Sequence, residues 1–234
     1  MITCESLFAP DAVNIFTDAS ILKRPGEFIG CPGYLVVIGD TVVESDKRIL
    51  RHSTSNNSEI NAVKMGVIAA LKYKQYRTIR LFSDSQLCIY GLRDRIYKWI
   101  RNQYNGVLMT GQMTPVMNQD VFVEILNIIV ANQLQINFYY QRGHINTANP
   151  RDIMRAKESF IRCNRVRIDV SDALIKRISM YNNMIDCDTR NYLNSIQNID
   201  SYDSPMEPVR FRYNPAFDAG AYESLTHNGR RKFT

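Results

Sequence analysis

A chain of 234 residues with 45% hydrophobic and 22% charged residues has the size and composition of one globular domain plus at most an appendage, which excludes a disordered chain and a long repeat array. The longest apolar-rich stretch, Val121 to Ala131, is broken by Glu124 and Asn127 and falls far short of the ~18 residues a membrane span needs, so no membrane role is expected. The net charge of +6 favours a polyanionic partner, and its excess lies early: residues 1–164 hold 19 Lys and Arg against 14 Asp and Glu, residues 165–234 hold 10 against 9.

The opening MITCESLFAPDA carries two acids and no basic run, so it does not read as a signal peptide, and a cytoplasmic protein is expected. The cysteines, at 4, 31, 88, 163 and 187, form no CxxC pair and are odd in number. They predict reduced, mostly buried thiols rather than a zinc ribbon or a disulfide framework.

In chain order, Ala12 to Phe16 predicts a short strand, and Gly33 to Ile38 a second one ending at the turn dipeptide Gly39-Asp40. Thr41 to Glu44 and Arg48 to Arg51 supply returning strands of an antiparallel meander. Cap-type residues 55–59 then precede Ile60, Val63, Val67, Ile68 and Leu71, whose spacing marks one face of a helix. Thr78 to Ser83 predicts a strand running into a helix over Gln86 to Trp99. Gln119 to Gln133 predicts a helix, Leu134 to Tyr140 a buried strand, and Arg151 to Cys163 an amphipathic helix. This order gives an α/β fold, a mixed sheet with helices on its faces, over residues 1–164. Residues 165–234 read as a C-terminal extension with one helix capped by Ser171, and no regular period after Asp200. A chain ending near Arg167 is expected to fold.

Three carboxylates hold notable positions: Asp18 closes the first strand, Glu59 opens the first helix, and Asp84 ends the strand LFS. Ligands of α/β sheets meet such strand ends. Three acids converging there would repel one another unless a divalent cation held them.

Four stretches in this order resemble the ribonuclease H family, type 1 branch. IFTDAS resembles its first-strand motif, with Ala19 in place of the usual glycine. SNNSE at 55–59 resembles its T-N-x-x-E segment. LFSDSQ, followed by YGLRDRIYKWI, resembles its T-D-S motif and substrate-handling helix. QRGH at 141–144, followed by NPRD, resembles its glycine-histidine loop and last carboxylate. The resemblance covers residues 12–163 and implies a ribonuclease H-like fold with a mixed five-stranded sheet and helices on both faces. It implies that Asp18, Glu59, Asp84 and Asp152 ligate two Mg²⁺ ions, with Mn²⁺ as the alternative, and that His144 shuttles protons. Glu158 is the rival fourth ligand; Asn149, Pro150 and Asp152 also form a helix-capping pattern that explains Asp152 without metal.

The resemblance further assigns Ser20, Asn56, Ser85, Gln86 and Asn118 to reading an RNA/DNA hybrid, short polar side chains being suited to 2′-hydroxyls. Arg93, Arg95, Lys98 and Arg101 with Trp99 form a basic stripe suited to the DNA strand's phosphates. The following QYNGVLMTGQMTP lacks the Lys-rich protrusion of some members. The expected activity is metal-dependent endonucleolytic hydrolysis of the RNA strand to 5′-phosphate and 3′-hydroxyl ends, in primer or hybrid removal during replication. The alternatives are a DNA-directed nuclease of the same fold and a non-catalytic hybrid-binding module. A monomer is expected, with residues 165–234 as the segment that would meet a replication protein.

Overall fold

Period-two alternation along the central strands divides the apolar side chains between two layers. In the computed structural model, which describes residues 7–166 and 170–196, these strands are β1 (Ala12–Arg24), β2 (Glu27–Ile38), β5 (Thr78–Ser83) and β6 (Ile136–Tyr140). Val13, Ile15, Tyr34, Val36, Leu81 and Phe138 enter one core. Their neighbours Phe16, Leu35, Val37, Phe82 and Tyr139 enter the other. With β3 (Thr41–Lys47), the sheet order is β3-β2-β1-β5-β6, and the short β4 (Leu50–Arg51) also pairs with β2. The β1–β2 and β2–β3 pairs are antiparallel; β1–β5 and β5–β6 are parallel. This is the expected mixed sheet with its five-strand path.

The first two strands are longer than their apolar runs predict. Their ladder continues through Leu22↔Ile29 and Lys23↔Phe28 to Arg24↔Glu27, closed by Pro25-Gly26. The charged tip hides the hairpin from a hydrophobicity reading.

The first layer holds α1 (Ser55–Ala70) and α4 (Gln119–Ala131). The single helix expected over Gln86 to Trp99 is instead α2 (Gln86–Tyr90), a π-helical turn (Gly91–Arg95) and α3 (Ile96–Arg101). The wide turn suits Arg93, which is buried and donates to Asn164 Oδ1 (3.1 Å) and the Cys163 carbonyl (2.8 Å). Arg93 therefore leaves the expected basic stripe: it ties this segment to the end of a later helix, α5 (Pro150–Asn164).

The second layer holds α5 and α6 (Asp172–Ser195). Asn149 caps α5, accepting from Arg151 N (3.0 Å), with Pro150 in its first turn. Ser171 caps α6, accepting from Leu174 N (3.1 Å). Leu174, Ile178, Tyr181 and Ile185, at spacings of four, three and four, form the buried stripe of α6 and join Phe16, Leu35 and Val37 in one core. Val166 and Val170 pack with this same core. The prolines after Asp200, the terminal GRRKFT and Cys4 lie outside the described residues.

This packing bears on the expectation that a chain ending near Arg167 folds. Each buried Leu, Ile or Val is worth roughly 1.5–3 kcal/mol, and a whole domain is stable by only about 5–15 kcal/mol. Deleting everything after Val166 removes Leu174, Ile175, Ile178, Tyr181 and Ile185 from the core and is predicted to abolish the cooperative thermal transition seen by circular dichroism. A shortened chain that melts cooperatively near the full-length temperature would make α6 an accessory.

Candidate active site

The register of the parallel β1–β5 pair builds the first half of the site. Phe16 is opposite Phe82, and their rings stack 4.8 Å apart. Asp18 and Asp84 each lie two residues past this last pair; Asp18 does not close β1, which runs on to Arg24 paired with β2, while Asp84 follows the end of β5 at Ser83. Thr17 Oγ1 donates to the Phe82 carbonyl (3.2 Å) and holds the two strand ends together.

Glu59 comes from α1. Thr54 is the N-cap, accepting from Asn57 N (3.2 Å), so the helix starts at Ser55 and Glu59 stands in its second turn rather than at its opening. Seven residues later on the same face, Gly66 lets α1 approach β1: a Cβ there would lie 2.8 Å from Thr17 Cγ2 and 3.1 Å from Ile15 Cγ2. That approach brings Glu59 beside Asp18, and one carboxylate oxygen from each of Asp18, Glu59 and Asp84 lies within 4.8 Å of the others.

A further wall comes from α6. Gly33, the β2 partner of Asp18, has no Cβ to meet Thr189 Cγ2 and Ile185 Cδ1, so α6 crosses the sheet closely at this pair. The Thr189 and Ser20 hydroxyls share a hydrogen bond (3.0 Å), Gln141 Nε2 donates to Asn182 Oδ1, and Lys47 pairs with Asp188 (2.6 Å). Asp186, one turn beyond Asn182, thereby joins Asp18, Glu59, Asp84, His144 and Arg190 around an open cleft of about 480 Å³. Arg190 Nη2 donates to both Asp186 oxygens (2.6 and 2.7 Å), and His144 Nδ1 lies 3.8 Å from Asp186 Oδ2.

Crowding perturbs Asp18, Glu59 and Asp84. Burial, reinforced by Asp84, pushes Asp18 up to about 8. Burial and the charges of Asp18, Asp84 and Asp186 hold Glu59 well above the carboxylate range. Burial also raises Asp84, with His144 opposing. Glu59 Oε2 is buried without a hydrogen-bond donor. An orphaned carboxylate oxygen in an all-oxygen cluster fits a hard divalent cation such as Mg²⁺ or Mn²⁺.

Asp152 is not brought to this cluster. It lies in the first turn of α5 with its nearest cation, Arg155 Nη1, at 4.0 Å; Asn149 and Pro150 make that turn a capping sequence. Neither Asp152 nor its rival Glu158 lines the cleft, whereas Asp186, which the sequence reading missed, does. Among the residues expected to read substrate, Ser20 lines the cleft, and Asn56 and Gln86 are exposed. Ser85 caps α2, its hydroxyl 3.2 Å from Cys88 Sγ. Asn118 begins α4 in a left-handed conformation and accepts from Asn57 Nδ2 (3.1 Å), which links α1 to α4. Lys98 and Arg101 are exposed, but Trp99 is 7% exposed and packs edge-on against Phe122 at 5.3 Å, within the core.

The profile of the RNase H family matches residues 10–156. Ribonuclease HI of Pasteurella multocida (strain Pm70) is 30% identical over 135 residues, covering 56% of this chain and 78% of the relative. Ribonuclease HI of Shewanella oneidensis is 30% identical over 160 residues, covering 67% and 92%. Two solved structures share the fold: the PFV RNase H domain (TM-score 0.50, 17% identity, 68% of this chain and 96% of that one) and the foamy viral protease-reverse transcriptase in complex with RNA/DNA hybrid (0.52, 14%, 70% and 21%).

A carboxyl whose folded-state pKa is raised costs no stability below its unfolded value and progressively more as pH climbs to the folded value. For Asp18 that window runs from 3.8 to about 8. In cation-free buffer the melting temperature is therefore predicted to fall between pH 5 and pH 8.5. Asp18→Asn should flatten that fall and melt higher than the native chain at pH 8, and Mg²⁺ should restore the native chain selectively. An Asp18→Asn protein no more stable than native at pH 8 without cations would contradict the electrostatic reading.

Proposed function

Because the chain belongs to the RNase H family, we propose that it hydrolyses the RNA strand of RNA/DNA hybrids in a divalent-metal-dependent reaction, leaving 5′-phosphate and 3′-hydroxyl ends. The observation that carries this reading is the convergence of Asp18, Glu59 and Asp84 within 4.8 Å, just past the last pair of the β1–β5 ladder and beside the second turn of α1. Asp186 extends the same acidic wall and is the fourth carboxylate we propose, in place of Asp152.

Bound to these carboxylates, a pair of Mg²⁺ or Mn²⁺ ions supplies an activated water and charge stabilisation at phosphorus and at the leaving 3′-oxygen. The protein's own residues do the rest. Asp18, Glu59 and Asp84 are rigid donors, each set by a strand end or helix that packs on the core. His144, 74% exposed at the rim and beside Asp186, is suited to pass a proton to the departing 3′-oxygen and return it to solvent. Exposed Lys98 and Arg101 offer phosphate contacts outside the cleft, and Asn56 and Gln86 offer donors and acceptors for a 2′-hydroxyl.

The reading extends to primer or hybrid removal during replication, in the cytoplasm. Among the described residues no helix is long and apolar enough to cross a membrane. We place the folding unit at least through Ser195 rather than ending it at residue 164, on the support of the core that α6 shares with α5 and of its residues in the cleft wall.

Cleavage of an end-labelled hybrid with Mg²⁺, and none in EDTA, is the expected result. Cleavage of duplex DNA instead would identify a DNA-directed nuclease, and binding without cleavage a non-catalytic module. Asp84→Asn is predicted to lower the rate ~10³-fold or more, and His144→Ala ~10²-fold. The fourth carboxylate is tested by comparing Asp186→Asn with Asp152→Asn across a Mg²⁺ titration. The former should lose at least ~10²-fold in rate and require more metal, the latter stay within a few-fold of native. The opposite ranking would restore Asp152.

A further inference from the structure

Arg190 is an unusual presence in an acidic cleft. It stands four residues after Asp186 on α6, which by itself makes an ordinary helix pair. Two features separate it from one. Both partners line the cleft that Asp18, Glu59 and Asp84 line. And one nitrogen, Nη2, lies 2.6 Å from Oδ1 and 2.7 Å from Oδ2, almost equidistant from both carboxylate oxygens. That is the bisector of the carboxylate, the position a cation chelated by both oxygens takes.

Asp186 is the less exposed partner, at 14%, and Arg190 remains 53% exposed. The guanidinium thus has room to swing away along its flexible stem, while the carboxylate is held by its helix. Neighbouring contacts of α6, through Asn182, Asp188 and Thr189, fix Asp186 independently of Arg190.

We propose that Arg190 is a built-in counter-cation of the site: it holds Asp186 while no divalent cation is bound, competes with that cation for the carboxylate, and once displaced receives a phosphate of the nucleic-acid substrate. The inference rests on the reading of the cleft as a metal-dependent phosphodiesterase site with Asp186 in its wall. Two positive groups cannot share one carboxylate bisector, so binding of one lowers the affinity of the other by the same factor. A guanidinium displaced from Asp186 at the rim of a phosphoryl-transfer cleft is matched to phosphate oxygens in charge and in fork geometry.

The test is isothermal titration of Mg²⁺ into the full chain without nucleic acid, at one pH and ionic strength, for native, Arg190→Gln, Asp186→Asn and the double variant. Arg190→Gln should tighten Mg²⁺ binding roughly 5- to 10-fold in the native background and by less than about 2-fold in the Asp186→Asn background. An equal gain in both backgrounds would reduce Arg190 to a diffuse charge effect, and no gain in either would remove the competition altogether; both overturn the proposal. A second measurement uses a hybrid whose RNA strand carries non-hydrolysable linkages. Arg190→Gln should weaken its binding several-fold in Mg²⁺ and leave it unchanged in EDTA. The reverse dependence would contradict the handover to phosphate. A chain that binds no hybrid in any form would refute the functional reading, and the metal titration alone would then decide the competition.

Discussion

Like charge held together against its own repulsion is the constraint on which this structure turns. Asp18, Glu59 and Asp84 share a space less than 5 Å across, a spacing that water alone does not stabilise for buried carboxylates. Everything around them serves to hold that arrangement. The parallel register of β1 and β5 aligns two of the acids, and the close approach of α1 at Gly66 delivers the third. Apolar packing supplies the restoring force: stacked Phe16 and Phe82 lie directly beneath the aspartates. Stability given up at the cleft is offset by the cores on both faces of the sheet, a usual arrangement where a function needs strain.

The late helix α6 joins core and cleft in one element. Its stripe from Leu174 to Ile185 closes the second layer. Its continuation presents Thr189 to Gly33 and Asp186 to the cleft. The residues matched by the family profile end at 156, before α6 begins at Asp172, so part of the cleft wall comes from outside the matched region. Between them, α5 fills the second layer beside β6 through Tyr139 and Phe160, whose rings lie 6.0 Å apart. Asp186 differs from the other acids of the cleft in carrying its own counter-charge, Arg190.

The mixed-sheet architecture and the two aspartates are legible because each signal is local: an apolar run, then an acid followed by serine or alanine. Glu59 is legible as a residue, though its helix starts four positions earlier, at Ser55 after the Thr54 cap. Asp152 and Asp186 show where local reading stops. NPRD is a capping sequence as well as a match to a ligand motif, and the two readings coincide in the sequence. Asp186 sits mid-helix between Ile185 and Cys187 with no local mark; only the tertiary approach of α6 at Gly33 makes it part of the cleft. Its one sequence trace is its position at the border of the stripe formed by Leu174, Ile178, Tyr181 and Ile185. Trp99 misleads for a related reason. An aromatic among basic residues looks like a surface contact, but the π-helical turn before it rotates the ring onto Phe122.

The acids gathered past the β1–β5 ladder and at the second turn of α1 are read as a divalent-cation site completed by α6. Anomalous diffraction from crystals grown with Mn²⁺ tests it most directly. The account predicts manganese peaks in contact with carboxylate oxygens of Asp18, Glu59 and Asp84, with Asp186 among the ligands and the Arg190 guanidinium withdrawn from it. Manganese bound at Asp152, or a cleft without anomalous density at saturating Mn²⁺, would contradict it.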